Sequence, residues 1–128
     1  MRILVVDDQA DAADTLAELL RCHGHAVDVA YSPAEALERA LAHAPDIAFI
    51  DIVMPGMDGW ALAQQLRERN PRAYLVALTG ASEDDRRERS QEAGLDIHLV
   101  KPIDPTRLEL VLARAEQVVA TRHPSIPA

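Results

Sequence analysis

At 128 residues, 48% of them hydrophobic, the chain has the length of one domain and enough apolar material to bury a core without disulfide or metal staples. Its single cysteine, Cys22, excludes an intramolecular disulfide, no apolar run approaches membrane-spanning length, and Met1 to Val6 is too short for a signal peptide, so a cytoplasmic protein without membrane insertion is expected. A formal net charge of −8 with no basic stripe disfavours direct binding to nucleic acid.

Short apolar runs alternate with helical patterns along the chain. The first run, Ile3 to Val6, precedes an apolar stripe of Leu16, Leu19 and Leu20 that stops near Gly24, a helix-terminating glycine. Ala26 to Tyr31 is the second run. Ser32-Pro33-Ala34-Glu35 then has the form of a capping box with proline at the first helical position, and Leu37, Leu41 and Ala44 share a face until Pro45. Ile47 to Ile50 is the third run, and Asp58 is placed to cap a helix carrying Leu62 and Leu66 that stops at Asn70-Pro71. Tyr74 to Leu78 is the fourth. The helical pattern after it, Glu83 to Ala93, holds no large apolar residue and is expected to be the least firmly packed. Ile97 to Val100 is the fifth run, and Asp104-Pro105 opens a last helix with Leu108, Val111, Leu112, Ala115 and Val119 on one side. The expected organisation is one domain over residues 1–120 and a disordered tail over 121–128.

Near-continuous apolar runs are what parallel strands covered on both faces require. A (βα)5 pattern with right-handed crossovers predicts a flavodoxin-like, doubly wound parallel five-stranded sheet of order 2-1-3-4-5, with its crevice at the carboxyl ends of strands one and three. Asp7 and Asp8 follow the first strand, Asp51 ends the third, Thr79 ends the fourth and Lys101 follows the fifth, so this topology brings all five to one crevice. Three carboxylates there would repel one another, and a hard divalent cation such as Mg²⁺ relieves that repulsion. A threonine hydroxyl and a lysine ammonium are good partners for phosphoryl oxygens. Singly, each residue has a plainer explanation, the Asp pair as a helix cap above all. Four strand ends placing polar groups together is harder to explain that way.

The stretches ILVVDD (Ile3 to Asp8), FIDIVMPGMDG (Phe49 to Gly59), ALTG (Ala77 to Gly80) and LVKPID (Leu99 to Asp104) strongly resemble the receiver domain of bacterial two-component response regulators. The resemblance covers about residues 2–120. It implies a phosphoacceptor signalling domain in which Asp51 takes a phosphoryl group from the phosphohistidine of a sensor histidine kinase or histidine phosphotransfer domain. Asp8, Asp51 and the backbone carbonyl of Val53 would bind Mg²⁺ directly, with Asp7 acting mainly through water. Lys101 would pair with the phosphoryl group and Thr79 would move to hydrogen-bond it. Lys101-Pro102 would be a cis peptide, Pro55 and Gly56 would shape the loop after the acceptor, and Gly59 would allow close packing of the next helix. Val53 and Ala81 would tune hydrolysis of the phosphoaspartate. The family's switch position, usually Tyr or Phe, is His98 here, which puts an aromatic rotamer switch in doubt.

The same resemblance implies a regulatory switch that is not an enzyme, although it catalyses its own phosphorylation and dephosphorylation, and it allows a phosphorylation-dependent dimer. Both a stand-alone regulator and a receiver of a hybrid histidine kinase are compatible with it. A phosphatase of the haloacid dehalogenase type is the competing reading, but it wants Asp-x-Asp after the first strand, where Asp7-Asp8-Gln9 stands. A flavin carrier on the same fold would need a glycine- and hydroxyl-rich phosphate loop there, which this acidic stretch is not.

Overall fold

Strand β1 (Arg2–Val6) shows why its sequence is apolar at successive positions. Alternate side chains enter different layers: Ile3 and Val5 pack on one face of the sheet, Leu4 and Val6 on the other. The computed structural model describes residues 1–54, 57–80 and 94–122. In it β1 is followed by α1 (Ala10–Cys22), β2 (Ala26–Ala30), α2 (Pro33–Ala42), β3 (Ile47–Asp51), β4 (Val53–Met54), β5 (Met57–Asp58), α3 (Gly59–Arg69), β6 (Tyr74–Thr79), β7 (Ile97–Val100) and α4 (Pro105–Arg122).

Five of these strands form one parallel sheet in the order β2-β1-β3-β6-β7. Counted among themselves they run 2-1-3-4-5, the expected flavodoxin-like order. Helices α1 and α4 cover one face, around Phe49 and Leu78, and α2 and α3 cover the other, around Ile50 and Leu75. The face under α4 is built as its spacing predicts, with Leu108, Val111, Leu112, Ala115 and Val119 all buried. Burial of each large aliphatic or aromatic side chain is worth roughly 1.5–3 kcal/mol, so these two layers carry most of the fold's stabilisation.

Local signals behave largely as read. Gly24 takes φ +89° just after α1, and the N–H groups of His23 and Gly24 close back on Leu20 and Arg21. Ser32 Oγ accepts from Glu35 N–H at the start of α2, but the Glu35 carboxylate returns to the N–H of Tyr31, one residue earlier than an ideal capping box. Leu41 is a correction: it is 81% exposed, because α2 ends at Ala42 and turns Ala36 and Ala40 inward instead, with Leu37 packed beside them. Ala44 lies beyond the helix and is exposed. The antiparallel pair β4–β5 is an addition that two-residue strands give no periodicity to reveal. The helical pattern at 83–93 and the residues after Arg122 lie outside the described residues.

At the amino-terminal edge of the sheet Asp96 gathers charged partners that the sequence gives no reason to join. Arg67 on α3 donates to its Oδ2 at 2.7 Å, Arg122 on α4 donates to its Oδ1 at 2.6 Å, and Leu75 N–H of β6 donates to its Oδ2 at 2.8 Å. Arg67 also holds the carbonyls of Gly94 and Ala73. Burial alone would raise the Asp96 pKa, but the Arg122 hydrogen bond, the Leu75 N–H and the two guanidinium charges outweigh it and hold the group below its ordinary value.

A depressed carboxylate pKa contributes stability that is present above the unfolded value and lost as pH falls through the folded one. Asp96→Ala should therefore lower the unfolding free energy by about 3 kcal/mol at neutral pH, since it strands two guanidiniums. It should also flatten the loss of stability below the ordinary aspartate range. Urea unfolding at neutral and acid pH checks both, and equal pH dependence in mutant and wild type would contradict the assignment.

Candidate functional site

In a doubly wound sheet the chain leaves the first strand toward one face and the third toward the other, which opens a crevice at their carboxyl ends. Asp7 and Asp8 follow β1, Asp51 is the last residue of β3, Thr79 the last of β6, and Lys101 follows β7. The structure thus brings to one edge the five residues that the sequence singles out. Asp7, Asp51 and Thr79 are buried, at 2%, 7% and 4% exposure, whereas Asp8 faces solvent.

Lys101 reaches into the middle of this group. Its Nζ donates to Asp7 Oδ2 at 2.9 Å and lies 3.4 Å from Asp51 Oδ2. Partial burial would lower the ammonium's pKa, but the hydrogen bond to Asp7 and the charges of Asp51 and Asp7 outweigh that and raise it. The other oxygen of Asp7 accepts from Gln9 N–H at 3.0 Å, a local turn at the entry of α1. Asp7 is thus both the acceptor of a local turn and a partner of Lys101.

Carboxylate oxygens of Asp7, Asp8 and Asp51 lie within 4.8 Å of one another. Three carboxylates against one ammonium leave an excess of negative charge, and the donors are all hard oxygens. That set fits a divalent cation of the Mg²⁺ or Ca²⁺ kind and not a soft metal.

The backbone at the end of β3 is held close. Ile52 N–H donates to Leu78 O, and Gly59 N–H donates to Ile52 O. A Cβ on Gly59 would stand 2.6 Å from both Asp51 O and Ile52 Cα, so only glycine lets α3 begin against the Asp51 peptide. The expected close packing at Gly59 is present. Across the crevice Thr79 Oγ1 is 3.5 Å from Leu99 O, long for a hydroxyl donor, while Lys101 N–H donates to Thr79 O at 2.8 Å. The Lys101-Pro102 peptide is cis.

His98 lies on β7, partly buried, with its ring 6.4 Å from that of Trp60 at the start of α3. Val53 belongs to β4 by its backbone, and Pro55, Gly56 and Ala81 lie outside the described residues. Sequence reasoning did not identify Trp60 as a neighbour of the site. It also missed a cavity of about 400 Å³ between α1 and the β7–α4 connection, where Leu16, Leu78 and Ile103 meet Asp7 and Lys101. Its apolar lining reads as ordinary core in the sequence.

Comparison with known proteins supports this geometry. A family model described as the response regulator receiver domain matches residues 3–113. The transcriptional regulatory protein ResD of Bacillus subtilis (strain 168) is 35% identical over 120 residues, covering 91% of this chain and 50% of ResD. The response regulator MprA of Mycobacterium avium (strain 104) is 33% identical over 124 residues, covering 97% of this chain and 53% of MprA. The chain thus spans about half the length of these curated relatives. Among solved structures, the receiver domain of NtrX from Brucella abortus superposes with a TM-score of 0.84 at 32% identity, over 90% of this chain and 98% of that one.

These matches correct the expectation that the chain is not an enzyme. Residues 3–113 match receiver domains, whose own phosphorylation is their regulatory reaction, so the exclusion of enzymatic activity is withdrawn. The exclusion of nucleic-acid partners is likewise confined to this domain, since a relative of twice its length is named a transcriptional regulatory protein. No helix among the described residues is long and apolar enough to cross a membrane.

The cluster predicts a graded response to loss of single carboxylates. Asp8→Ala should weaken the affinity for MgCl₂ about tenfold or more, as loss of a charge-assisted ligand worth roughly 1.5–3 kcal/mol implies. Asp11→Ala should leave it nearly unchanged, because Asp11 is outside the cluster. Calorimetric titration giving equal affinities in the two mutants would reduce the acidic group to a helix cap.

Proposed function

The chain belongs to the response regulator receiver domain family, the phosphoacceptor signalling domains of two-component systems, and on that premise we propose that Asp51 is its phosphoacceptor. One observation carries the assignment: the Asp51 carboxylate ends β3 inside the acidic cluster, with the Lys101 ammonium 3.4 Å away. An Asp51 oxygen attacks the phosphorus of a phosphohistidine, the O–P bond forms as the N–P bond breaks, and the imidazole leaves. Histidine kinases are the donor class for receivers, and a sensor kinase or a histidine phosphotransfer domain is the proposed partner.

The chain's own residues then have distinct tasks. Lys101, a charged ammonium at neutral pH, exchanges part of its contact with Asp7 and Asp51 for an incoming phosphoryl oxygen. Thr79, whose hydroxyl is only weakly engaged by Leu99 O, turns to donate to the same group. Asp7, Asp8, Asp51 and the carbonyl of Val53 would hold Mg²⁺, which when bound supplies charge neutralisation on the phosphoryl oxygens. In-line approach and this charge balance are the main catalytic resources in phosphoryl transfer.

His98 is proposed to report the phosphorylated state, which need only bias two existing conformations by a coupling of about 1–3 kcal/mol. A receiver domain over residues 1–120 acting in the cytoplasm, and dimerising on phosphorylation, completes the reading. The phosphatase alternative is not favoured, since the acidic pair after β1 lacks its Asp-x-Asp pattern and the family match leads elsewhere.

Asp51→Asn should abolish labelling by acetyl phosphate, read as the loss of the phosphate mass increment, while the circular dichroism spectrum stays that of the wild type. Undiminished labelling would remove the assignment. Val53→Asn should change the decay of the phosphoaspartate more than it changes Mg²⁺ affinity, because residue 53 offers the metal only its carbonyl. Phosphate release at saturating Mg²⁺ decides this, and identical decay would show that the position does not govern access of water.

A further inference from the structure

Trp60 is the chain's single tryptophan and is 4% exposed at the start of α3. Its neighbour Gly59 abuts the Asp51–Ile52 peptide with no room for a methyl group, and Gly59 N–H donates to Ile52 O at 3.2 Å. The first turn of α3 cannot shift without that peptide. On its other side the indole meets the imidazole of His98, with ring planes inclined by 56°, a tilted approach that aromatic rings favour. His98 sits opposite Ala77 in the β6–β7 register and three residues before Lys101. One buried ring therefore lies between the helix start that abuts the Asp51 peptide and β7, the strand that Lys101 follows. This route through α3 stands beside the direct approach of Lys101 Nζ to Asp51 Oδ2, 3.4 Å across the crevice.

We propose that Trp60 is a positioning residue for β7: it seats His98 against the first turn of α3, so that occupation of Asp51 is passed to β7 through the indole–imidazole contact. The proposal rests on Asp51 being the acceptor. Close-packed elements move as units, so a displacement of the Asp51–Ile52 peptide carries Gly59 and Trp60 with it, and the ring contact hands that displacement to His98. Trp60 has no part in the phosphoryl transfer proposed above. Replacing it should alter how far the state of the site spreads and leave the reactivity of Asp51 in place.

The test uses the full chain labelled with ¹⁵N, in which Trp60 gives the one indole N–H resonance. Adding beryllofluoride, a phosphoryl mimic, with MgCl₂ should move that resonance in the wild type, and in His98→Ala the resonance should still move while the amide shifts at Leu99 to Lys101 shrink. The amide shifts that beryllofluoride causes at Leu99 to Lys101 should shrink in Trp60→Leu and return in Trp60→Phe, which restores a ring. Both variants should still be labelled by acetyl phosphate. An indole unmoved in the wild type, or β7 shifts unchanged in Trp60→Leu or in His98→Ala, would overturn the proposal. Should Trp60→Leu fail to fold, His98→Ala, at a partly exposed strand position, decides alone. Wild-type protein that takes no label removes the acceptor assignment and this proposal with it. Labelling with an unmoved indole removes this proposal only.

Discussion

The ammonium of Lys101, held between Asp7 and Asp51, is the interaction on which the rest of the site depends. Two buried carboxylates and a third at the surface cannot share a crevice without a compensating charge, because desolvation and mutual repulsion both act against them. Lys101 supplies part of that compensation from a position 94 residues away in sequence. It does not supply all of it, and the remaining negative charge is what gives the site an appetite for a hard cation. The site combines that excess of negative charge with an ammonium paired to two carboxylates and a hydroxyl only weakly engaged by Leu99 O.

The scaffold makes such a concentration of charge tolerable by fixing its backbone elsewhere. Both faces of the sheet are packed with aliphatic and aromatic side chains, and the peptide after Asp51 is pinned by Leu78 O on one side and Gly59 on the other. At the opposite edge of the sheet Asp96 joins α3, β6 and α4 through Arg67, Leu75 and Arg122. The guanidinium of Arg122 also stands over the ring of Tyr74, 5.9 Å from its centroid.

Much of this was legible in the sequence, for reasons that differ from element to element. The five parallel strands could be read because strands covered on both faces leave near-continuous apolar runs, and the five crevice residues could be read because each stands at the end of one. Leu41 was misplaced because α2 is short and buries alanines: small inward residues give a weak periodic signal, and the larger leucine drew the eye to the wrong face. The Asp96 cluster was hidden because its charges come from residues 26 and 29 positions away and look like ordinary surface groups. The contact of Trp60 with His98 was hidden in the same way, since nothing local links the start of α3 to the last strand.

The Asp96 clamp has a mechanical consequence for β7. Two guanidiniums and a backbone amide fix the residue just before the strand begins, while just beyond its other end Lys101 is held by an ammonium that can change partners. A segment clamped at one end and held at the other by the Lys101 ion pairs would tilt about the clamp as a lever when those ion pairs are exchanged. Its arm from Asp96 to Lys101 is about 16 Å at the usual strand rise. A given tilt therefore displaces Ile97 least and Val100 most, and Val100 is the residue of this strand whose side chain already faces outward.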